Sequence, residues 1–357
     1  MLHAVIMAGG SGTRFWPASR RDRPKQLLDL ISVAPLLRLT YERLDGLVPP
    51  ERVWVITTES TADACRKILP EVPAENTLAE PVGRNTAACV GLAAHAIGAA
   101  DDDAVCLVLP ADHLIGDDEL FRSAMTAGAD MVAREGGLLT FGIQPTRPET
   151  GYGYLEVGVE RARSDRWAIH HLAAFVEKPD IERAEAYVSS GRFLWNAGIF
   201  AWRARDLLAE VGLQLPDLAA GLDRIGGAMS SADSDAVLAE VYPTLPATSV
   251  DHGIMEGAQQ CWVLPVDFPW SDVGSWPALA DELPVDDDGN AGRGRIAALD
   301  AADNVLVSTG PVLAVVGLSD LVVVATPDAV LVVPKDQAQR VKDVVDRLRD
   351  LGWEDVL

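Results

Sequence analysis

Apolar residues fall in short blocks along the first part of the chain, and stretches of helical spacing separate them. Ala4–Met7 is one such block and reads as a strand. Pro35–Leu47 places apolar residues on one helical face. Val53–Thr57 predicts a second strand and Thr61–Leu69 a helix. Thr86–Ala99 is Ala-rich and helical, and Ala104–Leu109 is a third strand that Pro110 stops. Alternation of this kind gives βαβ units and a largely parallel sheet covered on both faces. Ligands of such sheets sit beyond the carboxyl ends of the strands. The segments that follow Met7 and Leu109 are therefore expected on one edge.

The pattern then changes. Leu138–Ile143, Tyr154–Val159, Ala173–Val176 and Gly198–Trp202 are short β-like runs and predict a mixed extension of the sheet. Leu207–Leu245 is mostly helical and polar, and reads as a lid or an interaction surface. Val285–Arg295 contains DDDGNAGRGR and has no apolar periodicity, which predicts a boundary between domains 1–287 and 288–357. Beyond it, Asn304–Val307, Val312–Val316, Leu321–Ala325 and Val330–Val333 recur about every nine residues, as in a small coil of stacked strands. Periodicity alone also allows a plain antiparallel sheet. Lys335–Leu351 closes the chain as an amphipathic helix.

Composition narrows the function. The chain has 357 residues, enough for one large domain or two, and is 48% hydrophobic, so a packed fold is expected. Its net charge of −23 argues against nucleic acid and anionic membrane as partners. An anionic ligand would need positive charge gathered locally or supplied by a metal ion. The lysines are Lys25, Lys67, Lys178, Lys335 and Lys342. Cys65, Cys89, Cys106 and Cys261 form no C-x-x-C pair, which fits free thiols in a reducing, cytoplasmic setting. Asp320, Pro327 and Asp328 break the most apolar region, so buried strands are expected there and no membrane span.

Candidate chemistry begins just after the first strand. Ala8, Gly9, Gly10, Gly12, Thr13 and Arg14 form a Gly-rich loop, and Lys25 follows a basic segment. Without a Cβ the backbone can approach a bulky anion, and successive N–H groups can face phosphate oxygens. Arg14 and Lys25 add full positive charge. Neither G-x-x-x-x-G-K-[ST] nor G-x-G-x-x-G is present. Asp112 lies in LPADH and Asp272 in FPWSDVGSW. Two carboxylates from distant segments can converge on Mg²⁺, with phosphate oxygens and water completing the shell. A helix cap or turn is the plainer use of Asp112. In EPVGRNT, Glu80, Asn85 and the backbone at Gly83 offer donors and acceptors that a nucleobase edge can meet, while Asn85–Thr86 equally reads as a helix cap. TGYGY, FVEKP and WNAGIF offer Gly153, Glu177, Lys178 and Asn196 to sugar hydroxyls and a phosphate. A surface ion pair at Glu177–Lys178 and a core Trp195 are the plain alternatives. Asp251 and Glu256 in SVDHGIME are candidates for orienting the loops on the sugar side.

GGSGTR followed at this distance by PKQ resembles the signature of the sugar-1-phosphate nucleotidylyltransferases. Phe15-Trp16-Pro17 and EPVGRNT are similar to their mannose-1-phosphate guanylyltransferase branch. The resemblance implies a Rossmann-like α/β fold, GT-A-like, with a mixed, mainly parallel sheet and a short C-terminal left-handed β-helix. It implies GTP and mannose 1-phosphate as substrates and Mg²⁺ on Asp112 and Asp272. It assigns Ala8, Gly9, Gly10, Gly12, Thr13, Arg14, Lys25, Glu80, Gly83, Asn85 and Thr86 to the nucleotide. Gly153, Glu177, Lys178 and Asn196 go to the sugar phosphate, and Arg14, Lys25 and Lys178 supply catalytic charge. The chain departs from the family at Ala197, where Ser is usual, at Ile199, where Met is usual, and at His252 and Gly253. A different sugar 1-phosphate, such as manno-heptose 1-phosphate, and a sugar-nucleotide sensor without turnover are the competing readings. A second copy of the chain is a candidate partner, because an apolar terminal coil can bury itself against it.

Overall fold

The computed structural model describes residues 1–10, 12–31 and 34–357. It contains two compact units that are not successive in the chain. The first comprises Met1–Gly9, Thr40–Ala111 and Ile115–Trp270. The second comprises Gly10–Leu39, Asp112–Leu114 and Ser271–Leu357. Packing accounts for the N-terminal segment in the second unit. Phe15, Trp16, Leu28 and Leu30 are buried in one cluster with Val273, Trp276, Val305 and Val324.

The first unit is built on a nine-stranded mixed sheet. Across it the strands run Thr77–Glu80, Val53–Thr58, Leu2–Met7, Val105–Pro110, Phe193–Arg203, Leu138–Ile143, Cys261–Val266, Trp167–Val176 and Tyr154–Ser164. The first four are mutually parallel. Phe193–Arg203 joins them antiparallel. The central strands are apolar and buried along their length, as covered parallel strands must be. The Ala-rich helix Asn85–Gly98 is buried almost throughout. The lid reading of Leu207–Leu245 is corrected here. Helices Ala204–Gln214, Pro216–Ala228 and Ser234–Val241 bury Leu207, Val211, Leu218, Leu222, Ile225 and Val241. These side chains belong to the same core cluster as Val108 and Phe200. All four cysteines are buried and free.

The second unit is a coil of short strands. Ala291–Arg293, Val305–Ser308 and Leu321–Ala325 stack in parallel, and so do Ile296–Leu299 and Leu313–Val316. Val330–Pro334 then returns antiparallel to Leu321–Ala325. Asn304 is fully buried at one corner, donating to the Asn290 side chain (2.9 Å) and to the Leu318 carbonyl (2.9 Å). Such bonds satisfy polar groups that a bend would otherwise leave unpaired. Helix Val341–Asp350 follows. Among the described residues no helix is long and apolar enough to cross a membrane.

Candidate active site

Strands Leu2–Met7 and Val105–Pro110 are parallel neighbours with Met7 opposite Pro110. The chain leaves both at the same edge, as the strand pattern predicted. Ala8 is still part of the fold's interior. Its N–H donates to the Ile56 carbonyl (2.7 Å), and its carbonyl accepts from the Thr57 hydroxyl (3.0 Å).

The second unit holds Gly10, Gly12, Thr13, Arg14, Lys25, Asp112 and Asp272. The Gly10 carbonyl accepts a hydrogen bond from the Gln26 amide (3.0 Å). Gly12 has φ +59°, and a Cβ there would lie 2.5 Å from Lys25 Cβ and 2.7 Å from Lys25 N. Only glycine fits that approach. Lys25 is buried, 4% exposed. Its ammonium donates to Asp112 Oδ2 (2.9 Å) and to the backbone carbonyl of Asp272 (2.6 Å). One lysine thus ties together the two aspartate motifs.

The DVG turn carries strain. Val273 has φ +43°, an outlying conformation for a β-branched residue. Packing holds it there: Val273 is fully buried with Phe15 and Trp276, whose ring centroids lie 5.0 Å apart. The Trp276 indole donates to the Trp16 carbonyl (3.3 Å), and Gly274 N–H donates to Asp272 Oδ1 (3.2 Å). Backbone strain held by over-determined packing is typical of functional sites.

These segments enclose a cavity of about 340 Å³. Gly12, Thr13, Arg14, Lys25, Asp112, His113, Asp272, Gly274 and Lys342 line it. Burial pushes the Asp112 carboxyl up, but the Lys25 and His113 charges and the Lys25 hydrogen bond outweigh it and hold the group below its usual range. Asp112 is therefore ionised. Asp112 and Asp272 put two carboxylates in one cavity, donors of the hard-oxygen type that suits a divalent cation. Among the described residues no group of three or more His, Cys, Asp or Glu could hold an ion by itself. Lys342, on the closing helix, is a member of this cavity that sequence reasoning missed. Its only signal is its place one residue after the buried Val341.

The first unit holds the remaining candidates. Glu80 is 3% exposed and accepts the Tyr242 hydroxyl. Burial pushes its carboxyl up to about 7 despite that hydrogen bond. Its other oxygen lies 3.0 Å from where a Cβ on Gly9 would be. Glu80 is therefore buried beside Gly9. Gly83 and Asn85 are exposed. Asn85 has φ +64° and its Oδ1 accepts from Thr86 N–H (2.8 Å). The Thr86 hydroxyl accepts from Val250 N–H (2.8 Å).

The sugar-phosphate candidates come together. Asn196 donates to Asp251 Oδ1 (2.8 Å) and accepts from the Thr140 hydroxyl (2.9 Å) and Gly198 N–H (3.1 Å). Asn196 N–H donates to the Gly153 carbonyl (2.8 Å). A Cβ on Gly153 would meet Glu177 Oε2 at 2.7 Å. The Lys178 ammonium lies on Glu177 Oε1 (2.6 Å), with Lys178 itself at φ +48°. Glu256 accepts from Glu177 N–H (3.0 Å). Burial, helped by the Glu177 charge, pushes the Asp251 carboxyl up to about 6.

Comparisons with known proteins identify the family. The chain belongs to the nucleotidyl transferase family, which matches residues 3–288, and residues 294–348 match the MannoseP isomerase/GMP-like beta-helix domain. It is 40% identical over 356 residues to a mannose-1-phosphate guanylyltransferase of Klebsiella pneumoniae, covering 98% of this chain and 74% of the relative. A crystal structure described as mannose-1-phosphate geranyltransferase from Thermus thermophilus superposes with a TM-score of 0.85 at 39% identity, over 98% of this chain and 99% of that one. A mannose-6-phosphate isomerase structure from Helicobacter pylori shares the fold, with a TM-score of 0.60 at 24% identity over 76% of this chain and 99% of that one.

Proposed function

We propose that this chain transfers GMP from GTP to α-D-mannose 1-phosphate, giving GDP-mannose and pyrophosphate. Its similarity to mannose-1-phosphate guanylyltransferases along nearly its whole length supports the substrates. The observation that carries the chemistry is the buried Lys25, joined to both Asp112 and Asp272 beside the Gly-rich loop.

The nucleophile is an oxygen of the sugar phosphate. A phosphate monoester has a second pKa near 6, so it is mostly dianionic at neutral pH and needs no general base. That oxygen bonds to the α-phosphorus of GTP as the bond from that phosphorus to the pyrophosphate oxygen breaks. The obstacle is repulsion between two anions, and the remedy is in-line positioning and preorganised positive charge. A divalent cation on Asp112 and Asp272 would supply electrophilic stabilisation of the phosphate oxygens. Lys25 holds Asp112 ionised and in place. Arg14 takes charge on the leaving pyrophosphate, and Lys178 pairs with the attacking phosphate. Asn196 and Glu177 bind mannose hydroxyls, while Gly83, Asn85 and Thr86 lie against the base.

Pyrophosphate release from a panel of sugar 1-phosphates and nucleoside triphosphates tests this, with and without magnesium. GTP with mannose 1-phosphate is expected to be fastest, and chelation to abolish turnover. A faster rate with manno-heptose 1-phosphate would reassign the sugar. No release with any pair would leave the sensor reading.

A further inference from the structure

The closing helix does more than cap the coil. Val341, Val345 and Leu348 form its buried face at helical spacing. They share a cluster with Phe15 and Trp16, the residues that follow the Gly-rich loop. The register of that packing fixes where the next side chain goes. Lys342 adjoins Val341 and lines the cavity with Gly12, Thr13 and Arg14.

Charge accounting within the cavity singles out this lysine. Lys25 is joined to Asp112 at 2.9 Å. Arg14 and Lys342 are exposed, and neither has an ion pair or hydrogen bond among the described residues. In a chain of net charge −23, most arginines have carboxylate partners; Arg163 with Glu160 and Arg21 with Glu354 are examples. Asp112 and Asp272 line the same cavity, so Arg14, Lys25 and Lys342 face two carboxylates, and an anion between Arg14 and Lys342 binds to the positive charge left over.

We propose that Lys342, together with Arg14, holds the β- and γ-phosphates of the nucleotide and then the pyrophosphate product. The terminal helix thereby contributes a group to the nucleotide site. This rests on the guanylyltransferase reading and extends it to a residue outside the nucleotidyl transferase match.

The test is pyrophosphorolysis of GDP-mannose by wild type, Lys342→Ala and Lys342→Arg, with Lys67→Ala as an exposed control. Lys342→Ala is expected to raise the KM for pyrophosphate about tenfold, the scale of one lost charge-assisted contact. The KM for GDP-mannose should stay unchanged, and Lys342→Arg should recover most of the loss. Calorimetric titration with magnesium pyrophosphate alone gives a second readout that needs no turnover, and the same weakening is expected there. If wild type binds pyrophosphate but turns over no sugar nucleotide, the proposed activity fails while the titration still decides on Lys342. Unchanged pyrophosphate affinity in Lys342→Ala, or no pyrophosphate binding by wild type, overturns the inference. Position 342 is exposed, so an unaltered thermal midpoint is expected and checks the folding of each variant.

Discussion

The cavity of the second unit and the sugar-side network of the first handle polar groups in opposite ways. In the network the groups answer one another: Asn196 bonds Asp251 and Thr140, Lys178 bonds Glu177, and Glu256 accepts from Glu177 N–H. In the cavity Lys25 alone is neutralised, while Arg14 and Lys342 keep their charge. A closed network fixes directions, which suits recognition of hydroxyl groups. Surplus charge on a preorganised frame suits phosphate and a charge that develops during reaction. Selectivity and rate should therefore fail separately when each region is altered.

The largest effect is expected at the two aspartates. Asp272→Asn should lower pyrophosphate release by a factor on the order of 10²–10³, the range for one lost preorganised electrostatic group. Stability should change less than at Asp112, because Lys25 binds the Asp272 backbone carbonyl and Asn keeps an Oδ1 acceptor for Gly274 N–H. Asp112→Asn should lose as much rate and also about 1–3 kcal/mol of stability, since a buried ammonium loses its charged partner. The cost is moderated because the Asp112 side chain is 37% exposed. Rate assays and denaturant unfolding of both variants check this. Near-normal turnover in either would remove the metal assignment, and equal stability of the two would show that the Lys25 bridge contributes little.

Much of this was legible in the sequence, for reasons that differ by region. The strands around Ala4–Met7, Val53–Thr57 and Ala104–Leu109 are apolar on both faces, so a run of hydrophobic residues was enough to find them. Tyr154–Ser164 extends well past its apolar part, because its distal half pairs with Trp167–Val176 as an antiparallel ribbon with several register shifts. Thr77–Glu80, an edge strand of four residues, left no periodic signal. The loop glycines and the aspartates stood out as motifs. Lys342 did not, because its importance comes from where Val341 packs and not from its neighbours in sequence. The partner of Glu80 was equally hidden: Tyr242 lies 162 residues away.

A middle-sized effect is expected in the sugar-side network. Asn196→Ala removes the donor to Asp251, whose carboxyl already feels burial and the Glu177 charge. The KM for mannose 1-phosphate should rise about tenfold, the scale of a lost hydrogen bond to a charged group, with the KM for GTP unchanged. Steady-state kinetics with each substrate varied in turn provides the measurement. Equal changes for both substrates would erase the contrast between recognition and charge.

The smallest effect concerns stability and belongs to Glu80. Its folded pKa of about 7 lies above the ordinary glutamate value of 4.5, so the folded state binds a proton that the unfolded state releases. The stabilisation is fully present below pH 4.5 and is lost as the pH rises to about 7. Glu80→Gln keeps an acceptor for the Tyr242 hydroxyl and removes the ionisation. The variant should therefore hold its thermal midpoint better than wild type across that window, and the gap should stop widening above it. Asp251 has a raised pKa of the same sense, and burial lowers that of His3 to about 4, but both are common to the two proteins and cancel in the difference. Parallel midpoint curves from about pH 4.5 to about pH 8 would mean that the carboxylate ionises freely at this site. Glu80 would then belong with the exposed charges that face a ligand, and not with the buried frame that supports Gly9.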